Sequence, residues 1–203
     1  MNLSIMDQMQ KGMILIGRIK NVLMFIAACT LFMSCEEEAD LSRDFIVREG
    51  EHYASPRIVQ SLQSNTLSFS AKFNETAMYH FDDAGFQDSK NKLLGFSDCN
   101  SLHHENSARF AWQWYNDQLE IYAYCYVNGE RAEKFIGVVK LHEINRYQLK
   151  VTDENYVFQL NNQEPINIKR GNVCDKGIYY MLWPYFGGTM PAPHDVHISL
   201  KID

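Results

Sequence analysis

Of the two signs of charge, positive is the one this sequence is short of. Nineteen Lys and Arg stand against 25 Asp and Glu, for a formal net charge of −6 at pH 7. A chain so balanced has no general basic surface to match phosphates, which argues against nucleic acid as its partner. Long apolar runs are missing too: no stretch reaches the roughly 20 residues that an apolar helix needs to cross a bilayer. Beyond residue 43 no window of about 12 residues carries apolar positions at helical spacing, which argues against a helical domain. The signatures HExxH, paired CxxC and GxSxG are absent, so zinc-protease, zinc-ribbon and serine-hydrolase chemistry has no local support. Neither a repeat nor a Gly/Ser linker divides the chain, and its length suits one domain with a sizeable core.

The amino-terminal region is organised differently from the rest. Lys11, Arg18 and Lys20 form a positive segment, and from Asn21 to Ser34 no charged residue occurs. This uncharged run fits the apolar region of a secretory signal rather than a membrane span. It stops at Cys35, which is followed by Glu36, Glu37, Glu38 and Asp40. Met13 offers an alternative start, since the residues before it add little to a signal. Removing residues 1–34 takes away three Lys/Arg and one Asp, moving the formal charge from −6 to −8.

The segment LFMSC, Leu31 to Cys35, resembles the lipobox of bacterial lipoproteins, in which the Cys is acylated and becomes the new amino terminus. Phe32 and Met33 depart from the usual small-residue pattern. Cys29, at the end of Ile26-Ala27-Ala28-Cys29, fits the pattern better by letter. Cleavage there would leave an apolar region of only about seven residues, at the short limit, so length favours Cys35. The resemblance implies residues 1–34 as a signal, acyl chains (palmitate among them) on Cys35 as the membrane anchor, and residues 35–43 as an acidic tether. Several acyl chains anchor stably where one does not, since each buried methylene contributes about 0.8 kcal/mol. The acidic run also resembles the export tag of surface lipoproteins of the Bacteroidota, which implies the outer membrane and surface exposure.

From residue 44 onward the dominant period is two, the pattern of half-buried strands. Leu67, Phe69, Ala71 and Phe73 alternate with polar neighbours, as do Phe110, Trp112 and Trp114. Leu119, Ile121, Ala123, Cys125 and Val127 share one face of the next strand. Asn116-Asp117 and Asn128-Gly129 supply hairpin turns, because a type I′ turn needs positive φ at both central positions. Lys134–Leu141 returns alongside. Tyr147–Val151, Tyr156–Leu160, Ile166–Ile168, Ile178–Tyr185 and Val196–Ile202 complete a set of about ten to thirteen strands. These counts predict an all-β fold, a two-sheet β-sandwich of jelly-roll type over residues 44–203, with a closed β-barrel as the alternative. The stretches GEHY (Gly50–Tyr53), NSARFAWQW with LEIYAYCYVNGER, and WPYFGGTMPAPHDVHISLKI resemble a set found in uncharacterised Bacteroidota β-sandwich lipoproteins. That likeness implies a fold and a location and no activity.

Candidate sites follow from composition and spacing. Tyr122, Tyr124 and Tyr126 stand at period two on the face opposite Leu119–Val127, a platform on which sugar rings stack; cross-strand pairing explains the same pattern. Trp183 and Tyr185 precede Gly187-Gly188 and form either a ligand lip or a sheet corner. Asp82, Asp83 and Asp88 supply hard oxygens for a structural calcium, although their spacing is not that of an EF-hand. His103-His104 and His194/His197 invite a metal reading, but odd spacing puts the latter pair on opposite strand faces. Two of Cys99, Cys125 and Cys174 can pair in an oxidising compartment, and the sequence does not decide which; Cys125 sits among core-facing residues, so Cys99–Cys174 is the preferred pair. Apart from the calcium no cofactor is implied, and no catalytic residue can be assigned.

The expected function is therefore a membrane-anchored, non-catalytic surface module that binds glycan or another extracellular polymer, its partners being the membrane and a glycan or envelope protein. The alternatives are a structural subunit of a surface complex and a polysaccharide hydrolase or lyase.

Overall fold

The computed structural model describes residues 43–171, Cys174 and residues 177–203. The signal, Cys29, Cys35 and the acidic tether as far as residue 42 lie outside the described residues.

The domain is a two-sheet antiparallel β-sandwich. In chain order its strands are β1 (Arg43–Val47), β2 (Ala54–Ser55), β3 (Ser61–Leu62), β4 (Thr66–Phe73), β5 (Asn91–Ser97), β6 (Ser107–Tyr115), β7 (Gln118–Val127), β8 (Glu130–Val139), β9 (Asn145–Val151), β10 (Asn155–Leu160), β11 (Ile166–Lys169), β12 (Tyr179–Leu182) and β13 (Val196–Ile202). One sheet has the order β11-β10-β9-β4-β13-β1-β2, the other β3-β12-β5-β6-β7-β8. Each is open at both ends, so the barrel alternative is not the one adopted. A single-turn helix, α1 (Ala84–Gln87), lies between β4 and β5. Among the described residues no helix is long and apolar enough to cross a membrane.

Period-two patterning places one face of each strand in the core. Phe69 of β4 meets Phe110 of β6 at a ring-centroid distance of 5.8 Å. Phe73 meets Trp112 at 5.2 Å, and Phe158 of β10 meets Phe110 at 5.1 Å. Each such side chain contributes roughly 1.5–3 kcal/mol on burial, so these inter-sheet aromatic contacts hold the two layers in register. Cys125 is a buried free thiol in this core, and burial pushes its titration upward. Cys99 and Cys174 are joined by a disulfide spanning 75 residues.

The hairpins form where turn chemistry allows them. Asn116 and Asp117 have φ of 49° and 56°, and Asn128 and Gly129 have 52° and 85°. Tyr115 pairs with Gln118 and Val127 with Glu130 across these two-residue loops. Both turns thus have the positive φ that the I′ geometry demands.

One expectation needs correction, and two neighbouring features explain themselves. Ile178–Tyr185 is a strand only over Tyr179–Leu182; Trp183 and Pro184 interrupt it, and Tyr185 then makes isolated bridges to Tyr53 and Lys92, the latter in the register of the β12–β5 pairing. The stretch at Gly50–Tyr53 is a turn leading into β2, with Gly50 at φ 76°. Strand β5 showed no alternation because every one of its residues is buried. The segment around Tyr185 flanks its edge, the Tyr185 N–H and C=O bonding to Lys92 at 3.0 and 2.7 Å.

Candidate functional site

Sheet register sets the outer face of β5–β8. Gly95, Arg109, Tyr124 and Glu133 fall in one cross-strand row, and Ser97, Ser107, Tyr126 and Arg131 in the next. Lys92 lies in the row of Ala111 and Tyr122. Side chains two apart on a strand share a face, so β6 and β7 present Arg109 beneath Tyr124 with Tyr126 beside them. Gly95 has to be glycine: a Cβ there would lie 2.1 Å from the Ala108 carbonyl oxygen and 2.8 Å from Arg109 Cγ. Its bare backbone gives the arginine stem room to lie across β5.

Two segments raise walls above this floor. On one side, residues 182–188 are pinned by the Tyr185–Lys92 bonds, by Phe186 N–H donating to His52 O at 2.7 Å and by Ala54 N–H donating to Pro184 O at 3.2 Å. Gly187 closes this segment at φ 62°, where a Cβ would lie 2.3 Å from the Met190 carbonyl oxygen. On the other side, the loop from Asp98 to Asn106 carries His103 and His104. Its root is the fully buried Asp98, which accepts from Arg170 at 2.7 and 2.8 Å and from the Tyr156 hydroxyl. The adjacent Cys99 disulfide, Ser107 Oγ donating to His103 O and Gly129 N–H donating to Glu105 O fasten the rest.

Between the walls lies a cleft of about 530 Å³, within the size range of small-ligand sites. Arg57, Lys90, Lys92, Arg109 and Arg131 line it, together with His103, His104, Tyr53, Tyr124, Tyr126, Trp183 and Tyr185. No Asp or Glu is among the described residues that line it. In a protein of net charge −6, cation has been concentrated in one place.

Arg109 is the most telling of these residues. Only 7% of it is exposed, and its Nε has no hydrogen-bond partner. Among the described residues no carboxylate lies within ion-pair distance of it. Its partners are ring faces, with its Cζ 5.4 Å from the Tyr124 centroid. Burial pushes its titration down. An unpaired buried cation is costly in free energy, and native proteins retain such groups at functional sites.

Lys92 repeats the theme. Its Nζ donates to Gly187 O at 2.7 Å and lies 5.0 Å from the Tyr124 centroid. Burial, with Arg109 and Arg131 nearby, lowers its titration to about 8. The nearest balancing charge is Glu133, which Arg131 engages at 3.8 Å. Burial also pushes the Tyr124 hydroxyl up to about 12, with Tyr126 hydrogen-bonded beside it. His103 is lowered by burial and by the neighbouring His104 and Arg109. At the mouth, Tyr53 is 55% exposed, under the guanidinium of Arg57 at 4.6 Å and edge-on to Tyr185 at 4.9 Å.

The structure thus brings Tyr124, Tyr126, Trp183 and Tyr185 into one cleft. Tyr122 is elsewhere: its hydroxyl donates to Glu120 at 2.6 Å, and Phe135 and Lys90 pack on its ring. Trp183 stacks on Phe45 at 5.2 Å with its indole N–H unpaired. The aspartates are not assembled as a cation site. Asp83 caps α1 by accepting from Gly85 and Phe86 N–H, Asp88 pairs with Lys90 at 2.8 Å, and Asp82 approaches His80 at 3.8 Å. Among the described residues no group of three or more His, Cys, Asp or Glu could hold a metal. His194 anchors a loop through Thr76 O at 2.9 Å.

Arg109, Lys92, Arg131, Arg57 and Tyr53 were not singled out from the sequence. Arg109 occupies a polar position of an alternating strand, which ordinarily means solvent. Its burial depends on a wall contributed by residues some 75 positions away. The sequence signal that existed was weak: a lysine at the head of the apolar run Leu93-Leu94-Gly95-Phe96.

No protein-family model and no curated protein sequence matches the chain. Solved structures do resemble it. The alginate lyase AlyC3 is similar with a TM-score of 0.54 at 11% identity, over 79% of this chain and 73% of that one. The same lyase in complex with dimannuronate gives 0.54 at 10% identity, over 79% and 72%. A mixed-linkage-glucan GH16 protein of Bacteroides ovatus gives 0.46 at 12% identity, over 79% and 80%. At these identities the similarity is one of fold, the jelly-roll sandwich.

Proposed function

We propose that this domain binds an acidic polysaccharide, seating its carboxylates on Arg109, Lys92 and Arg131. The observation that carries the reading is the buried Arg109, which has no carboxylate partner in a cleft whose described lining is free of Asp and Glu. A guanidinium pairs with carboxylate in a planar, two-bond geometry, and such an anion would offset the desolvation that Arg109 already bears. Tyr53, Tyr185 and Trp183 give flat faces against which sugar rings pack. The fold neighbour AlyC3, solved with dimannuronate, is a jelly-roll protein that holds an acidic sugar. Hydrolysis by paired carboxylates needs two acidic residues flanking the bond, and the described residues that line this cleft include none.

Calorimetry on the full chain in detergent tests this. Polymannuronate, polygalacturonate and chondroitin are compared with their carboxyl-reduced, neutral counterparts. At least one acidic polymer should bind, with affinity that falls as salt rises, while the neutral forms do not. Equal binding of neutral and acidic forms, or no binding of any acidic polymer, overturns the proposal.

The same proposal places the domain at the cell envelope, held by acyl chains on Cys35. The uncharged run ending at Cys35 and the acidic residues after it support this. Metabolic labelling with an acyl-chain analogue should mark the chain, and Cys35→Ala should abolish the label. Label surviving in that variant but lost with Cys29→Ala would move the anchor to Cys29.

A further inference from the structure

We infer that the cleft also cleaves uronate chains by β-elimination, the His103–His104 imidazole pair accepting the ring proton and the Tyr124 hydroxyl protonating the leaving oxygen. The inference rests on the acidic-glycan reading and extends it from binding to reaction.

Elimination next to a carboxylate has three requirements. The carboxylate must be neutralised, since the carbon beside an anion is a poor acid. A base must take the proton from that carbon. An acid must reach the oxygen that leaves. All three are present along one line of the cleft. Arg109 Cζ and Lys92 Nζ lie 5.4 and 5.0 Å from the centre of the Tyr124 ring, so a carboxylate held by them sits against that phenol. The Tyr124 hydroxyl is hydrogen-bonded to Tyr126, and the two ring centres are 6.0 Å apart. Tyr126 meets His104 edge-on at 5.2 Å, and His104 lies 4.0 Å from His103.

The protonation states suit the roles. Burial keeps the proton on Tyr124 until about pH 12, so it is poised to donate. Burial and neighbouring positive groups lower His103, so at neutral pH its imidazole is free to accept.

The step balances without cofactor or water. The imidazole takes the proton from the carbon bearing the carboxylate, and that C–H electron pair becomes a C=C double bond. The adjacent carbon–oxygen bond breaks, and the departing oxygen takes the Tyr124 proton. One fragment ends in an unsaturated uronate and the other in a new reducing end. Imidazolium and phenolate remain, and proton exchange with solvent restores both groups.

The test incubates the full chain with the same acidic polymers and follows the ultraviolet absorbance of the conjugated double bond alongside calorimetric binding. At least one polymer should yield absorbance, and its carboxyl-reduced form none. Tyr124→Phe, with Tm checked, should bind that polymer to within about threefold yet lose about 100-fold or more in rate, the usual contribution of a general acid. His103→Gln and His104→Gln should bind, and at least one should lose rate comparably. Binding without absorbance from any acidic polymer overturns elimination while leaving the acidic-glycan reading intact; absence of both overturns both. Reducing ends without absorbance mean hydrolysis and overturn the inference, as does full-rate turnover by Tyr124→Phe.

Discussion

Arg109→Met is expected to cost the protein its ligand while leaving the fold as stable as before, or more so. The two effects have one origin. In the free protein the guanidinium is nine-tenths buried, its Nε is unpaired and Lys92 and Arg131 stand nearby. Its charge therefore opposes folding through desolvation and like-charge repulsion. Methionine keeps the apolar stem over Gly95 and Tyr124 and removes the charge, a substitution that is often neutral or stabilising for buried ions. In the complex the same guanidinium faces a carboxylate. Truncating one partner of a desolvated charge pair costs about 2–5 kcal/mol, or roughly 30- to several-thousand-fold in affinity. Calorimetry with an acidic polymer and thermal unfolding without it measure the two halves. A Tm lower by several degrees with unchanged affinity makes Arg109 a structural residue and removes the main support for the cleft as a ligand site.

The pH dependence of stability should show a rise that belongs to Lys92. Its titration is lowered to about 8 in the folded chain, chiefly by burial and then by Arg109 and Arg131, with Glu133 opposing; in the unfolded chain it returns to about 10.4. Between these values the unfolded state binds more protons, so stability increases with pH from about 8 to about 10.4. Below about 8 the ammonium is charged in both states and the full penalty applies, on the order of 3 kcal/mol. Lys92→Met should therefore stabilise at pH 7 by somewhat less than that, since it also loses the bond to Gly187 O. The difference between wild type and variant should vanish by about pH 10. Denaturant unfolding at several pH values measures it. A difference that stays constant across that range would falsify the assignment. Binding should run the other way: an anion in the cleft favours the ammonium, so affinity weakens as pH passes above 8.

Much of the sandwich could be read along the chain, and the reason is local. Alternation in Thr66–Phe73, Ser107–Tyr115 and Val196–Ile202 reports one wet and one dry face. The Asn-Asp and Asn-Gly pairs mark turns because their own backbone tolerates positive φ. Where both faces are covered, that signal vanishes. Strand β5, buried throughout, has no alternation to read, and Ile178–Tyr185 looked like more strand than it is. The tyrosine ladder was visible because it lies on one strand, but its three members did not share a fate. Tyr124 and Tyr126 entered the cleft and Tyr122 paired with Glu120, because a neighbouring wall covers one part of the face and not the other.

By itself, then, the sequence determined the all-β character, the hairpins, the core-facing residues and an acidic overall balance. These are properties of periods and composition, set by side chains close together along one strand. Only the tertiary structure decided that the few cations would converge. Arg57, Lys92, Arg109 and Arg131 come from four separate stretches, brought together by sheet register, by the pinned segment at Tyr185 and by the loop rooted at Asp98. A charge becomes unpaired and buried only through what is folded over it, and that is a relation between distant parts of the chain which no window of sequence contains.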